Sequence, residues 1–169
     1  MAEETILTGD DLMLGPPSPV VPPEVASHVL DGLETCSTAL RRLFLCLHVN
    51  DVEPFCQDHI ILYRRCAQNR DAELRGRIQE TERTLARSMP MNEIQERQAQ
   101  LKVEVETLER RMILASGMEG VEGFRQRWSL HGCLHDTKKR LESIEQGLAS
   151  RTKEQQQQQP QSKSWWQFW

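Results

Sequence analysis

Apolar residues recur along most of the chain at steps of four and three, the spacing that draws a stripe down one side of an α-helix. Val29, Leu33, Cys36, Leu40, Leu43 and Leu47 form the first stripe and predict a helix about five turns long. The segment HVNDVEP breaks it: Asn50 and Asp51 favour turns and helix N-caps, and Pro54 suits a first helical turn but not an interior. A second stripe through Cys56, Ile60, Tyr63 and Ala67 predicts a second helix, and so short a turn requires the two to run antiparallel. Strand-like alternation is missing throughout.

Beyond Arg70 the periodicity continues on a more charged background. Leu74, Ile78, Thr81 and Leu85 keep the spacing up to Ser88-Met89-Pro90, where proline should end or kink the helix. Ile94, Gln98, Leu101, Val105, Leu108 and Met112 then form a seam flanked by Glu, Arg and Lys, the pattern of a short coiled coil. Gly117, Gly120 and Gly123 interrupt it. A last amphipathic helix is expected from about Phe124 through Trp128, Leu134, Leu141 and Ile144 to Leu148. The two long helices either fold back on each other as a second hairpin or leave Leu101, Val105, Leu108 and Met112 as a seam for a partner's helix.

The ends depart from this pattern. Residues 1–23 finish in GPPSPVVPPE, which cannot hold a helix and reads as a flexible, extended lead-in. From residue 154 the chain is glutamine-rich and ends SWWQFW. Trp165, Trp166, Phe168 and Trp169 cannot bury themselves within so short a peptide, so they are candidate anchors for a partner's groove or a bilayer surface. Four segments result: 1–23, a helical hairpin over 24–70, charged amphipathic helices over 71–153, and a tail over 154–169. The expected fold class is all-α: a braced antiparallel hairpin, then a long charged coiled-coil-type hairpin, with disordered ends.

Composition and charge narrow the functional classes. In 169 residues aromatics make up 5% and charged residues 27%, and the mean hydropathy is −0.60, so the packed part should be small and elongated for the length. A net charge of −4 gives no general attraction to nucleic acid or to anionic membranes, so no nucleic-acid partner is expected and membrane contact is at most peripheral. No apolar run approaches the roughly 20 residues that span a bilayer. The acidic start MAEETILTGDD lacks the basic region of a secretory signal and the arginines of a transit peptide.

The cysteines change the picture most. Cys36, Cys46, Cys56 and Cys66 stand ten residues apart, and one other cysteine, Cys133, lies far away. Ten residues on a helix advance about 15 Å, too far for a bond between Cys36 and Cys46 or between Cys56 and Cys66, since disulfide Cα atoms approach within about 7 Å. Two cross-helix connectivities remain. In an antiparallel hairpin, residues equidistant from the turn face each other, which pairs Cys46 with Cys56 and Cys36 with Cys66, whereas pairing Cys36 with Cys56 requires parallel helices. Each bond would contribute about 2–4 kcal/mol by restraining the unfolded chain, which suits a hairpin too small to bury much apolar area.

Two C-x9-C pairs within a helical hairpin resemble the twin CX9C, or coiled-coil-helix-coiled-coil-helix, family of the mitochondrial intermembrane space. The resemblance covers about residues 29–70. It implies a helical hairpin with the same two bonds, import without a cleaved presequence, and retention through the oxidative import machinery of that compartment; separately, no cofactor is expected. Apolar residues one turn from a docking cysteine guide the oxidoreductase in the family. Leu40, Leu43 and Phe44 before Cys46, or Leu62 and Tyr63 before Cys66, match that position here, as they also match a hairpin core. The seam and the tryptophan-rich tail are not part of the family motif.

Other chemistries leave weaker signatures. Cys46-x-His48 and Cys56-x2-His59 offer two thiolates and two imidazoles to zinc, but that site would ignore Cys36 and Cys66. In HGCLH, His131 and His135 share a helix face that Cys133 does not, so the expected metal ligands are none. The close cysteine pair that copper delivery uses in some family members is missing. A Gly-rich phosphate loop, a nucleophile elbow, HExxH and a C-x2-C redox pair are all missing too, and no catalytic residue is nominated. Glu93, Glu96, Glu104, Glu106 and Glu109 read as solvated ion-pair partners. The expected function is therefore non-catalytic: an accessory subunit or assembly factor of an inner-membrane respiratory complex, complex I first by analogy with the family, with that complex's protein subunits as partners. A mitochondrial ribosome component and a cytosolic zinc-stabilised coiled-coil adaptor are the alternatives.

Overall fold

The computed structural model describes residues 17–52 and 55–158. They form five helices: α1 (Ala26–Leu30), α2 (Ser37–Val49), α3 (Gln57–Ser88), α4 (Met91–Ser116) and α5 (Gly120–Gln158). No strand occurs among the described residues, as the helical periodicity predicts.

The expected five-turn first helix is broken, and this corrects the sequence reading. After α1 the chain turns at Asp31 and Gly32, runs extended, and restarts at Ser37. Gly32 and Cys36 both take left-handed backbone conformations, with φ 63° and 58°, that a continuous helix does not allow. Packing explains the break. Val25 and Val29 join Leu74 and Ile78 of α3 in a buried cluster, while Cys36 turns to bond Cys66. The Arg77 guanidinium caps the break by donating to the carbonyl oxygens of Val29 (3.1 Å) and Asp31 (2.5 Å), groups that the end of a helix leaves unpaired.

Helix α3 is 32 residues, about 48 Å, and runs without interruption from the hairpin into the charged region. It ends at Ser88 because Met89 must take the extended conformation that precedes proline, and Pro90 then caps α4. Helix α5 starts at Gly120, earlier than the expected Phe124. Gly120 supplies a φ of 77°, whereas Gly123 lies buried inside the helix and interrupts nothing.

The second hairpin forms. Helix α5 packs along both α3 and α4. It is antiparallel to α4, pairing Glu145 with Gln98, Lys138 with Glu109 and Arg127 with the Ala115 carbonyl. It is parallel to α3, pairing Asp136 with Arg75, Arg140 with Glu82 and Arg151 with the Met89 carbonyl. Two apolar clusters fill the array: Ala86, Ile94, Leu101 and Ile144 near the α3–α4 turn, and Leu108, Ala115 and Leu130 near the α4–α5 turn. At Gly147 α3 and α5 come close enough that a Cβ would stand 2.6 Å from both the Ala86 methyl and the Arg83 carbonyl oxygen.

Residues 17–22 are extended, as the prolines require, but they are held against the array. The Pro17 carbonyl accepts from Arg75 (2.7 Å), Ser18 Oγ donates to Asp71 (2.8 Å), and Val21 packs on the α1–α3 cluster. A flexible lead-in was expected over 1–23; of it, residues 1–16 lie outside the described residues.

Candidate functional site

The hairpin of α2 and the first turns of α3 carries the chemistry singled out by the sequence. Cys36 bonds Cys66 and Cys46 bonds Cys56, each across a Cα separation of 5.9 Å. The cysteines are not all on helices as expected. Cys36 and Cys56 each stand immediately before a helix, at the caps of α2 and α3, while Cys46 and Cys66 lie within them. The cap cysteines are the buried partners, with Cys46 and Cys66 half-buried. With Leu43 and Ile60, at 3% and 1% exposure, they make up the hairpin's small interior.

Bonded sulfurs are not thiolates, so Cys46 and Cys56 do not form the zinc ligand set with His48 and His59. No group of three or more potential ligands that would hold a metal occurs among the described residues. Cys133 is a free, half-buried thiol packed against the Leu108, Ala115 and Leu130 cluster. His131 and His135 stand on the other side of α5, lining a cavity of about 400 Å³ with Pro17, Trp128 and Asp136.

The three residues grouped before Cys46 are divided. Leu43 is buried against α3, whereas Leu40 and Phe44 line an open groove of about 620 Å³ on the outside of α2 with Leu45, Arg41 and His48. Phe44 is 63% exposed. On α3, Leu62 is exposed and Tyr63 half-buried.

The seam on α4 is satisfied within the chain, a correction to its reading as a partner surface. Leu101 is buried against Ile144, and Leu108 and Met112 pack with Leu130; Val105 is half-buried. A partner's helix would have to displace α5 to reach Leu101, Leu108 and Met112. Trp165, Trp166, Phe168 and Trp169 lie outside the described residues.

Sequence reasoning missed Glu82. Its carboxylate is fully buried between three helices and accepts two hydrogen bonds from Arg97 (2.7 and 2.9 Å) and two from Arg140 (3.0 and 2.9 Å). The hydrogen bond to Glu82 raises the Arg97 pKa above its ordinary value, and burial opposes that shift. A signal was present: Glu82 continues the Leu74, Ile78 stripe at the next step of four.

A family model described as a domain of unknown function (DUF7803) matches residues 1–169. The chain belongs to that family. No curated protein and no solved structure matches it. The twin CX9C likeness therefore rests on the cysteine spacing, the two bonds and the hairpin, and not on membership of that family.

Proposed function

We propose that this protein is a non-catalytic interaction protein of an oxidising compartment. The mitochondrial intermembrane space is the compartment that its twin C-x9-C pattern favours. The observation that carries the reading is the pair of cystine rungs across one short hairpin, a device that persists where thiols are kept oxidised. The rungs hold a small, sulfur-filled hairpin rigid while its outer surface, with Leu40, Phe44 and Leu45, stays open.

Within that compartment the protein acts as an accessory subunit or assembly factor of an inner-membrane respiratory complex. Complex I comes first, by the analogy with twin CX9C proteins. The hairpin docks and the α3–α5 array spaces it from neighbouring subunits. The groove around Leu40 and Phe44 is also the surface an import oxidoreductase would grip.

The test is the thiol state of the protein in its native source, read by mass-tag alkylation with and without reduction, together with fractionation of intact respiratory complexes. Four protected cysteines linked as Cys36–Cys66 and Cys46–Cys56, in a protein that migrates with such a complex, are expected. Free thiols at all four positions before reduction would overturn the compartment. Oxidised protein that migrates alone would overturn the complex.

A further inference from the structure

Sixteen large apolar side chains are exposed among the described residues, and they are unevenly placed. Arg75 bonds Asp136 between parallel helices, so Tyr63 on α3 and Phe124 on α5, each twelve residues upstream, both lie about 18 Å toward the same end. The cystines fasten α2 to that part of α3, and the Ala115 contact with Arg127 brings the last turn of α4 to the same end. Twelve of the sixteen exposed apolar residues stand there, in 44–62 and 113–128.

They are spread over several helices. Phe44 and Leu45, Ile61 and Leu62, and Ile113 and Leu114 are exposed neighbours, each pair diverging by about 100° around its helix. No single groove gathers them; the groove on α2 takes in only Leu40, Phe44 and Leu45 of the apolar residues. Phe124 stacks on Trp128 and Trp128 on His131 along α5, with ring centroids 6.3 and 6.5 Å apart.

Arginines flank the same residues. Between residues 36 and 70 five arginines meet three acidic residues, and between 110 and 128 four arginines meet two. Taken whole, these segments are net positive in a chain whose total is −4 and contain none of its lysines; their five acidic residues lie between the arginines in sequence, among the apolar residues. Arg41, Arg42, Arg64 and Arg65 make no ion pair among the described residues, whereas the half-buried Arg97 and Arg140 are committed to Glu82.

We infer that this end docks on a membrane surface bearing anionic phosphate headgroups. Phe44, Leu45, Ile61, Leu62, Phe124 and Trp128 enter the interfacial layer while the arginines pair with phosphates. A fluid surface can meet residues spread over several helices, which a partner helix seated in one groove does not, and guanidinium suits phosphate. The chain rests on the bilayer, since no described helix is long and apolar enough to cross one. The inference goes beyond the proposed function and holds whatever the compartment.

The test is flotation of oxidised full-length protein with phosphatidylcholine vesicles, with and without about one fifth phosphatidylglycerol. Binding to the anionic vesicles that falls with added salt is expected. The Arg41→Gln, Arg42→Gln, Arg64→Gln, Arg65→Gln variant, which changes exposed or half-buried side chains and leaves both cystines in place, should partition roughly a thousandfold less. The Phe44→Ser, Ile61→Ser variant should lose binding to a smaller extent. Circular dichroism and thiol titration confirm that each variant is folded and oxidised. No flotation of the parent, equal binding to neutral vesicles, or unchanged binding by both variants would overturn the inference. The first result would leave this end as a protein-docking surface, and the last would transfer membrane binding to the tryptophan-rich tail.

Discussion

The hairpin and the α3–α5 array are built from one continuous helix, α3, yet opposite chemistries hold them. In the hairpin two cystines, Leu43 and Ile60 supply nearly all the interior. In the array the interior is aliphatic, with one fully buried carboxylate pinned by two guanidiniums. A covalent rung stabilises chiefly by restricting the unfolded chain and needs little buried surface, so the hairpin can leave Phe44, Leu45, Ile61 and Leu62 in solvent. The array has no such restraint and relies on aliphatic residues buried between its helices, although it too leaves Ile113, Leu114, Phe124 and Trp128 exposed. That difference accounts for the exposed apolar residues of the hairpin itself, and not for those that α4 and α5 bring to the same end.

Four changes would break or sharpen the contrast. The largest effect is expected for Glu82→Ala, which leaves two half-buried guanidiniums, Arg97 and Arg140, without their carboxylate. It should cost about 3–5 kcal/mol in chemical denaturation, and hydrogen exchange should localise the loss to the array. A hairpin that loosened equally would show that the two regions are one cooperative unit.

Cys36→Ser combined with Cys66→Ser comes next, at about 2–4 kcal/mol, with α2 fraying while amides of α4 and α5 stay protected. Reductant should reproduce that pattern in the parent protein and add nothing to the stability change of Glu82→Ala within the array.

Gly147→Val should cost about 1–3 kcal/mol, because the new side chain meets backbone at Arg83 that cannot give way as a side-chain tip would. Thermal unfolding measures it, and the hairpin bonds should remain intact. The smallest stability effect is expected for Phe44→Ser, within about 0.5 kcal/mol for so exposed a residue. Its consequence should be read in binding instead, and a large loss of stability would mean that Phe44 is part of the hairpin interior.

The zinc reading separates from the disulfide reading by the same measurements. Chelator should leave the denaturation midpoint of oxidised protein unchanged, whereas reductant should lower it.

Much of this was written in the sequence. Steps of four and three located the helices, because burial on one side of a 3.6-residue helix demands them. Pro90 ended α3 because it restricts the residue before it. Cysteine spacing selected the bonds, because sulfurs bridge antiparallel helices only at positions equidistant from the turn. Tertiary structure alone decided the rest. The stripe from Val29 to Leu47 looked continuous, but Val25 and Val29 gained more by packing on Leu74 and Ile78 than by extending α2, so Gly32 and Cys36 took left-handed conformations instead. The α4 seam was legible as an apolar face, but not what would cover it; α5 does, because it lies antiparallel beside it. Glu82 stood on the apolar stripe in plain view, yet its role depended on Arg97 and Arg140 arriving from two other helices. Periodicity is a property of one helix, whereas partners for a buried charge, or for an apolar face, exist only once several helices have been placed side by side.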